Sequence, residues 1–384
     1  MEHLLDEGTT AQVHLHHTPK YMTQPLARKE FRDQCRDRDA GTCVVPWCTN
    51  TADDVHHIIE RAEWSDGGYD KRNGASVCNA HHQLAEADYI PPQAFWRWLD
   101  LQPLTPDEMS EHVTKWGDEL QVPSEKELTR DLIKYPSTGH LPDSPDHEHR
   151  RNDYSHQELQ QFVCDMESDL PVVVTVKMDG SNAMITRPPE IIPDPSRHRP
   201  AHGVAARNGK HATHDSFDLL KKRNREQYGV KIPPHIQICG EWLFARHSIH
   251  YTDPEDCDDP ECDDHAGPVR NYFQVFGVYD NRFDIWLSWP EVEEWAAKIG
   301  AETVPVVDKR VFEYPDHVYE IYPEADRLIQ SGHEGIVIRS ALPFHYGQFE
   351  SRLGKYVREN HVTTDEHWRQ QAIVQNVERE ERVS

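Results

Sequence analysis

Lysine is scarce in this 384-residue chain: 14 lysines stand beside 27 arginines and 67 acidic residues, and the net charge is −26. That deficit excludes a protein held to nucleic acid by bulk charge, although local basic grooves stay open. Long apolar runs are missing too; none approaches the ~18 residues needed to span a bilayer. The start, Met1-Glu-His-Leu-Leu-Asp-Glu7, has neither a basic region nor an apolar core, so no secretory signal and an intracellular, cytoplasmic location are expected. Acidic excess with few lysines suits solubility in concentrated salt, where the screening length falls to ~3 Å and self-repulsion costs little. A halophilic archaeon or its virus would select such a chain; a high-GC genome would give the same bias. The eight cysteines of an intracellular chain read as metal ligands or plain thiols rather than disulfides.

The length allows two domains, each with its own core. Residues 1–30 read as loosely ordered, 31–100 as a Cys/His-rich unit ending in the helical stretch Phe95-Trp-Arg-Trp-Leu99, 101–130 as an acidic, proline-bearing connector, and 131–384 as a second unit. In the second unit, Ser155–Glu167 has the helical period. Val172–Val176, His235–Leu243, Tyr272–Tyr279 and Gly335–Ile338 read as strands. Mixed strands and helices predict an α+β fold for this unit.

In the first unit, Cys43-x4-Cys48 and Cys78-x2-His81 have the spacing of a closed tetrahedral zinc site, which replaces the core so short a segment cannot build. His56-His57 lies between the pairs, Arg72-Asn73-Gly74 follows, and His82 comes directly after the second pair. Over about Cys35 to Ala85 this order resembles the HNH endonucleases, whose core is a zinc-stapled ββα-metal fold. The resemblance implies His57 as the general base that activates water, and His56 and His82 as ligands of a catalytic divalent metal. Asn73 is then the middle residue that steadies the loop. A zinc-stapled knuckle that binds nucleic acid without cutting it is the alternative.

The second unit turns on Lys177, in Val172-Val-Val-Thr-Val-Lys177-Met-Asp179-Gly180-Ser-Asn182. A lysine at the mouth of an apolar strand loses hydration, which disfavours its charged form and predicts a pKa low enough for a nucleophile near neutrality. The competing reading is an edge lysine paired with Asp179. Downstream come Arg207-Asn-Gly209, Gly240-Glu241, Tyr272-Phe-Gln-Val-Phe276, Glu334-Gly-Ile-Val-Ile-Arg339 and Arg352-Leu-Gly-Lys355-Tyr-Val-Arg358. Attack of a lysine amine on the α-phosphate of ATP needs carboxylates for Mg²⁺ or Mn²⁺, an aromatic face for adenine and a second cation; Glu241 with Glu334, Phe276 and Lys355 supply these.

The set resembles the covalent nucleotidyltransferases, whose fold is built on antiparallel sheets. Lys134-Tyr-Pro-Ser-Thr-Gly-His140, Arg246-His-Ser-Ile-His-Tyr251 and the tail His361–Trp368 narrow this to the phage-type RNA ligase 2 family, over roughly 133–370. The resemblance implies Lys177 as the adenylated nucleophile and Asp179 in the nucleotide-binding set. Asn182 would sense the end to be sealed, Arg207 would grip phosphate or ribose, and Glu241 would hold the ribose. Phe276 would face adenine, Glu334 would bind metal, and Lys355 would hold the α-phosphate. Gly277 stands where the family usually has aspartate. The last motif has one lysine instead of two, with Arg352 or Arg358 as substitutes.

Cys257-x4-Cys262-x2-His265, in a run of aspartates, suggests a second zinc completed by Cys239 or another histidine; an acidic surface insertion is the alternative. Lys221-Lys222-Arg223-Asn-Arg225 reads as a nucleic-acid track or a solvated helix face, and Trp242 as a core residue. Together these imply an HNH-type nuclease followed by an ATP-dependent, RNA-ligase-like domain that uses ATP, Mg²⁺ or Mn²⁺ and Zn²⁺ on RNA. DNA as substrate, or a nucleic-acid-binding effector with inactive sites, are the alternatives. No membrane partner is implied. If the acidic surface is an adaptation to salt, the thermal midpoint rises as KCl is taken into the molar range; a midpoint that stays flat or falls leaves genome composition as the cause.

Overall fold

The computed structural model describes residues 26–62, 68–101, 132–145, 170–188, 202–257, 265–359 and 373–379. Helix α1 (Arg28–Arg38) opens the described chain. It starts inside the stretch expected to be loose, because Phe31 and Cys35 recur four apart and bury one face. That face rests on an antiparallel hairpin of β1 (Asp54–His57) and β2 (Gly74–Val77). The fit explains Gly74: a Cβ there would lie 2.5 Å from the Cys35 sulfur and 2.7 Å from the Phe31 ring. Helix α2 (Asn79–Glu86) follows the hairpin directly, and α3 (Pro92–Trp98) carries proline at its first position, where the missing N–H costs nothing.

The second unit holds two larger sheets. One runs β11 (Val306–Phe312), β4 (Leu170–Lys177), β12 (Gly335–Ser340), β14 (Leu353–Val357), β3 (Gly139–His140). The other runs β13 (Phe344–His345), β9 (Ile285–Trp286), β8 (Phe273–Asp280), β7 (Ile236–Trp242), β5 (Ser181–Ile185), β6 (Val204–Ala206), with β10 (Glu302–Thr303) added to β8. Helices α4 (Asp218–Arg223), α5 (Trp289–Ile299) and α6 (Tyr322–Gln330) complete the α+β architecture. The sheets are not purely antiparallel: β10 joins β8 and β3 joins β14 in parallel, since each is a two-residue edge strand that returns from a distant segment.

Strands β4 and β5 are consecutive in sequence but lie in different sheets. Val172, Val173, Val174 and Val176 are all buried, which is why β4 reads as an unbroken apolar run instead of an alternating one. The crossing is made in Met178-Asp179-Gly180, and it brings the end of one sheet against the face of the other. The tightness of that crossing excludes a side chain at Gly180, whose Cβ would meet the Trp242 carbonyl at 2.8 Å and Glu241 Cγ at 3.1 Å.

The N-terminal unit is fastened to the second by charge. Arg97 on α3 donates to Asp280 at 3.1 Å and pairs with Glu291 in the first turn of α5. Both acids are buried, and Glu291 also closes a capping box with Ser288. On another side, the Arg352 guanidinium lies 4.8 Å over the Tyr89 ring. The expected helix Ser155–Glu167, the connector from residue 102 and the tail His361–Trp368 lie outside the described residues. Among the described residues no helix is long and apolar enough to cross a membrane.

Candidate active site

Lys177 is the last residue of β4, and its Nζ donates to Glu334 Oε2 at 2.7 Å. Glu334 stands immediately before the neighbouring strand β12, in which Gly335 is paired with Lys177. Gly335 has φ 147° and no room for a side chain, because a Cβ would fall 2.1 Å from the Tyr356 carbonyl. The ion pair is therefore made by strand register.

Asp179 is not the lysine's ion-pair partner. Its Oδ2 accepts from the Ser248 N–H and hydroxyl, both at 2.8 Å, and from the Ile249 N–H at 2.7 Å, while its own N–H donates to the Tyr251 hydroxyl at 2.8 Å. The surface-pair reading of Lys177 is thereby displaced, and the loop 248–251 emerges as the clamp on the Lys177–Gly180 turn. Only the sequence Arg246-His-Ser-Ile-His-Tyr251 hinted at it.

From the other sheet, Glu241 on β7 faces the same space, paired across β5 with Asn182 and across β8 with Gln274. Burial pushes the Glu241 carboxyl up to about 8, against the pull of the Lys177 charge, with the nearby Glu334 and Asp179 carboxylates adding to the rise. Burial also raises the Glu334 carboxyl. Asn182 Oδ1 and Gln274 Oε1, on either side of Glu241, are buried and accept no hydrogen bond. Gln274 was not anticipated from sequence; its position opposite Glu241 is a matter of register.

The lowered Lys177 pKa expected from desolvation is not found. Burial does pull it down, but Glu334, Glu241 and Asp179, together with the hydrogen bond to Glu334, outweigh that and hold the ammonium above its ordinary value. A buried set of acids of this size around one lysine is short of positive charge.

Phe276 on β8 is partly buried, edge-on to Tyr135 at 5.0 Å, and its carbonyl accepts from Arg339 at 2.9 Å. Lys355 lies on β14 opposite Val337 and beside His140 of β3, near enough for its charge to lower Glu334. Arg207 directs its guanidinium to the 135–137 segment: Nη2 donates to the Pro136 carbonyl at 3.1 Å and to Ser137 Oγ at 2.9 Å. Arg352, offered as a substitute cation, is instead buried against Tyr89 of the N-terminal unit. The backbone N–H of Arg358 donates to the Glu334 carbonyl at 3.0 Å. Gly277 has a local cause: a Cβ there would already lie 3.3 Å from the Trp286 ring, which leaves no space for an aspartate without moving it. In the basic cluster, Lys221 pairs with Asp218, Arg223 with Glu378 and Arg225 with Glu226. Trp242 is buried and donates to the Ser216 carbonyl at 2.7 Å, as the core reading required.

In the N-terminal unit, Cys43, Cys48, Cys78 and His81 bring their ligand atoms within 4.8 Å of one another. A tetrahedral zinc with ordinary bond lengths sets S···S edges of ~3.8 Å and S···N edges of ~3.6 Å. The Cys48–Cys78 sulfurs are 3.9 Å apart, and His81 Nδ1 lies 3.4 Å from Cys43 and 3.2 Å from Cys78. These residues fit the ion. His56 and His82 also come together, and Glu86 joins them: its Oε1 is 3.1 Å from His56 Nδ1 and 3.2 Å from His82 Nε2. Glu86 was missed, although its place four residues after His82 on α2 puts both on one helix face.

His57 turns the other way from His56, as neighbours on a strand do. It stacks on Phe31 at 4.8 Å and meets Tyr69 edge-on at 5.5 Å. Burial, followed by the Arg61 and His56 charges, lowers its pKa to about 4, so the ring is neutral at pH 7. Its Nε2 is buried without a hydrogen-bond partner. Asn73 binds the hairpin loop, accepting from the Ile59 N–H at 2.6 Å and donating to the carbonyls of Ile59 and Gly68 at 2.9 and 3.2 Å.

Residues 170–357 match the family model described as RNA ligase, just under half of the chain. This covers Lys177, Glu241, Phe276, Glu334 and Lys355. Among solved structures, an archaeal ATP-dependent RNA ligase aligns at 19% identity over 52% of this chain and 45% of its own, with a TM-score of 0.33. An Aquifex aeolicus protein assigned as an ATP-dependent DNA ligase aligns at 16% over 59% and 50%, with a TM-score of 0.34. A point mutant of Naegleria gruberi RNA ligase with ATP and Mn aligns at 16% over 64% and 63%, with a TM-score of 0.31. The chain thus spans about half the length of the first two. No curated protein matches it.

The raised Glu241 pKa has a consequence for stability. Between 4.5 and about 8 the folded chain holds a proton that the unfolded chain releases, so this contribution is complete below 4.5 and is lost as pH rises through about 8. Glu241→Gln should therefore raise the thermal midpoint at about pH 9 more than at about pH 5, at about 2–4 °C per kcal/mol for a domain of this size. Equal shifts at both pH values would mean that Glu241 ionises normally in the fold.

Proposed function

We propose that this chain is an ATP-dependent RNA ligase that works through a lysyl-AMP intermediate on Lys177. The observation that carries the reading is the convergence on one lysine of Glu334 from one sheet and Glu241 from the other, within the stretch that matches the RNA ligase family. The neutral Lys177 amine attacks the α-phosphorus of ATP; a P–N bond forms, the bond to the β-bridging oxygen breaks, and pyrophosphate leaves with that electron pair. Glu334 accepts the lysine's hydrogen bond and fixes Nζ at the strand end. Mg²⁺ or Mn²⁺ held by Glu241 and Glu334 would supply the positive charge that offsets these carboxylates and lets Nζ shed its proton. Lys355 holds the α-phosphate, Phe276 flanks adenine, and Asn182 meets the incoming 5′-phosphate end. Arg207 serves by holding residues 135–137 against the site. AMP then passes to the 5′-phosphate, and a 3′-hydroxyl displaces it to seal the strand. RNA is the substrate this reading favours over DNA; an intracellular setting, in a halophilic archaeon or its virus, accords with the acid-rich composition.

With α-labelled ATP and Mg²⁺, the wild type should acquire covalent label at a rate that climbs with pH, because Lys177 must lose a proton held above its ordinary pKa. Lys177→Ala should take none, and Glu334→Gln and Lys355→Ala should label at least ~10-fold more slowly. A wild type that never labels sinks the ligase reading.

For the N-terminal unit we propose a zinc-stapled HNH-type nuclease, a reading favoured by the His56–His82–Glu86 cluster beside the Cys43–Cys48–Cys78–His81 set. A purely structural zinc site gives no reason for that second cluster. His57, neutral and with a bare Nε2, is the general base for water, and Asn73 holds the loop behind it. His57→Ala should abolish metal-dependent nicking of nucleic acid and leave the zinc content unchanged, whereas Cys78→Ser should lower the zinc content. A wild type that binds nucleic acid and does not nick it establishes the knuckle instead.

A further inference from the structure

A third group of thiol and imidazole ligands includes His250, a residue of the loop that clamps the Lys177–Gly180 turn. His250, Cys257 and His265 bring one ligand atom each within 4.8 Å of one another. Cys257 Sγ and His250 Nδ1 are 3.3 Å apart, close to the ~3.6 Å S···N edge of a tetrahedral zinc site. Residues 250 and 265 also form a parallel β-bridge, and their rings stack at 6.0 Å, so the backbone itself brings the two histidines together. His250 is buried, and His265 Nε2 is buried without a hydrogen-bond partner. Cys239, suggested from sequence as a completing ligand, sits elsewhere, packed at full burial among Tyr135, Met184 and Trp286. His250 takes its place. Cys262 lies outside the described residues.

Two acids of this segment, Asp253 and Asp256, have other work. Both pair with Arg379, at 2.5 Å for Asp253. Among the described residues the cluster at the centre is thiol and imidazole only, a donor set that selects zinc over harder cations.

We propose that His250, Cys257 and His265 bind a zinc-class divalent ion and supply three of its four positions. Its place in the fold gives it a purpose. His250 Nε2 also meets the Gln375 carbonyl at 3.4 Å, and Tyr251 donates its N–H to Asn376 at 2.9 Å while its hydroxyl receives the Asp179 N–H. The ion closes residues 250–265 into a loop under the segment 373–379 and thereby fixes Tyr251 against the turn that follows Lys177.

The test is zinc stoichiometry of the full chain after equilibration with Zn²⁺ and removal of the excess. Wild type should hold one equivalent more than Cys257→Ser and than His265→Ala; both positions are partly exposed, so folding should survive. The difference of one is expected whatever the N-terminal cluster binds, so failure here is separable from failure of the nuclease or ligase readings. Should either variant misfold, alkylation of the wild type decides: Cys257 should react with iodoacetamide at least ~10-fold faster once a chelator is added. Equal zinc in wild type and folded variants, or a Cys257 alkylation rate indifferent to the chelator, overturns the proposal.

Discussion

One ammonium set among three carboxylates governs this fold's centre. Lys177 sits where two sheets meet, and each sheet delivers an acid to it: Glu334 by register along β12, Glu241 across β7. Dry surroundings alone would discharge the lysine, and dry surroundings alone would protonate the acids. Together the acids keep the ammonium charged, while Glu241 and Glu334 stay above the ordinary carboxylate range for want of further positive charge.

The turn between the sheets explains why so few substitutions are open there. Met178-Asp179-Gly180 must change sheets in three residues while packing on the Trp242 backbone, and the Asp179 carboxylate is the pin that holds the crossing to the loop at Ser248 and Ile249. Asp179 is thus a structural anion facing backbone donors. Its nearness to Lys177 in sequence suggested a direct pair, but the geometry gives that pair to a residue more than 150 positions away.

Much of this was legible beforehand. The β-branched run fixed β4, and the paired Cys and His residues outlined the N-terminal cluster. What escaped the sequence shares a cause. Gln274 opposite Glu241, His250 beside Cys257, Tyr251 on Asp179 and Arg97 on Asp280 are all contacts across strands or between units, set by register that no local pattern carries. The direction of the Lys177 pKa shift failed for the same reason: burial could be read from Val172–Val176, but the opposing acids came from elsewhere. Glu86 is the exception, since its place one turn after His82 was visible.

Arg97 has a wider meaning. Its two buried partners belong to β8 and α5, and Asp280 closes the very strand that carries Phe276 and Gln274. Arg282 also pairs with Asp280 and Ser288 with Glu291, so Arg97 is the member of a wider buried polar group that reaches across from the N-terminal unit. The two units are joined by contact through Arg97, so the spacing between the N-terminal cysteine–histidine cluster and Lys177 is a dimension built into the protein.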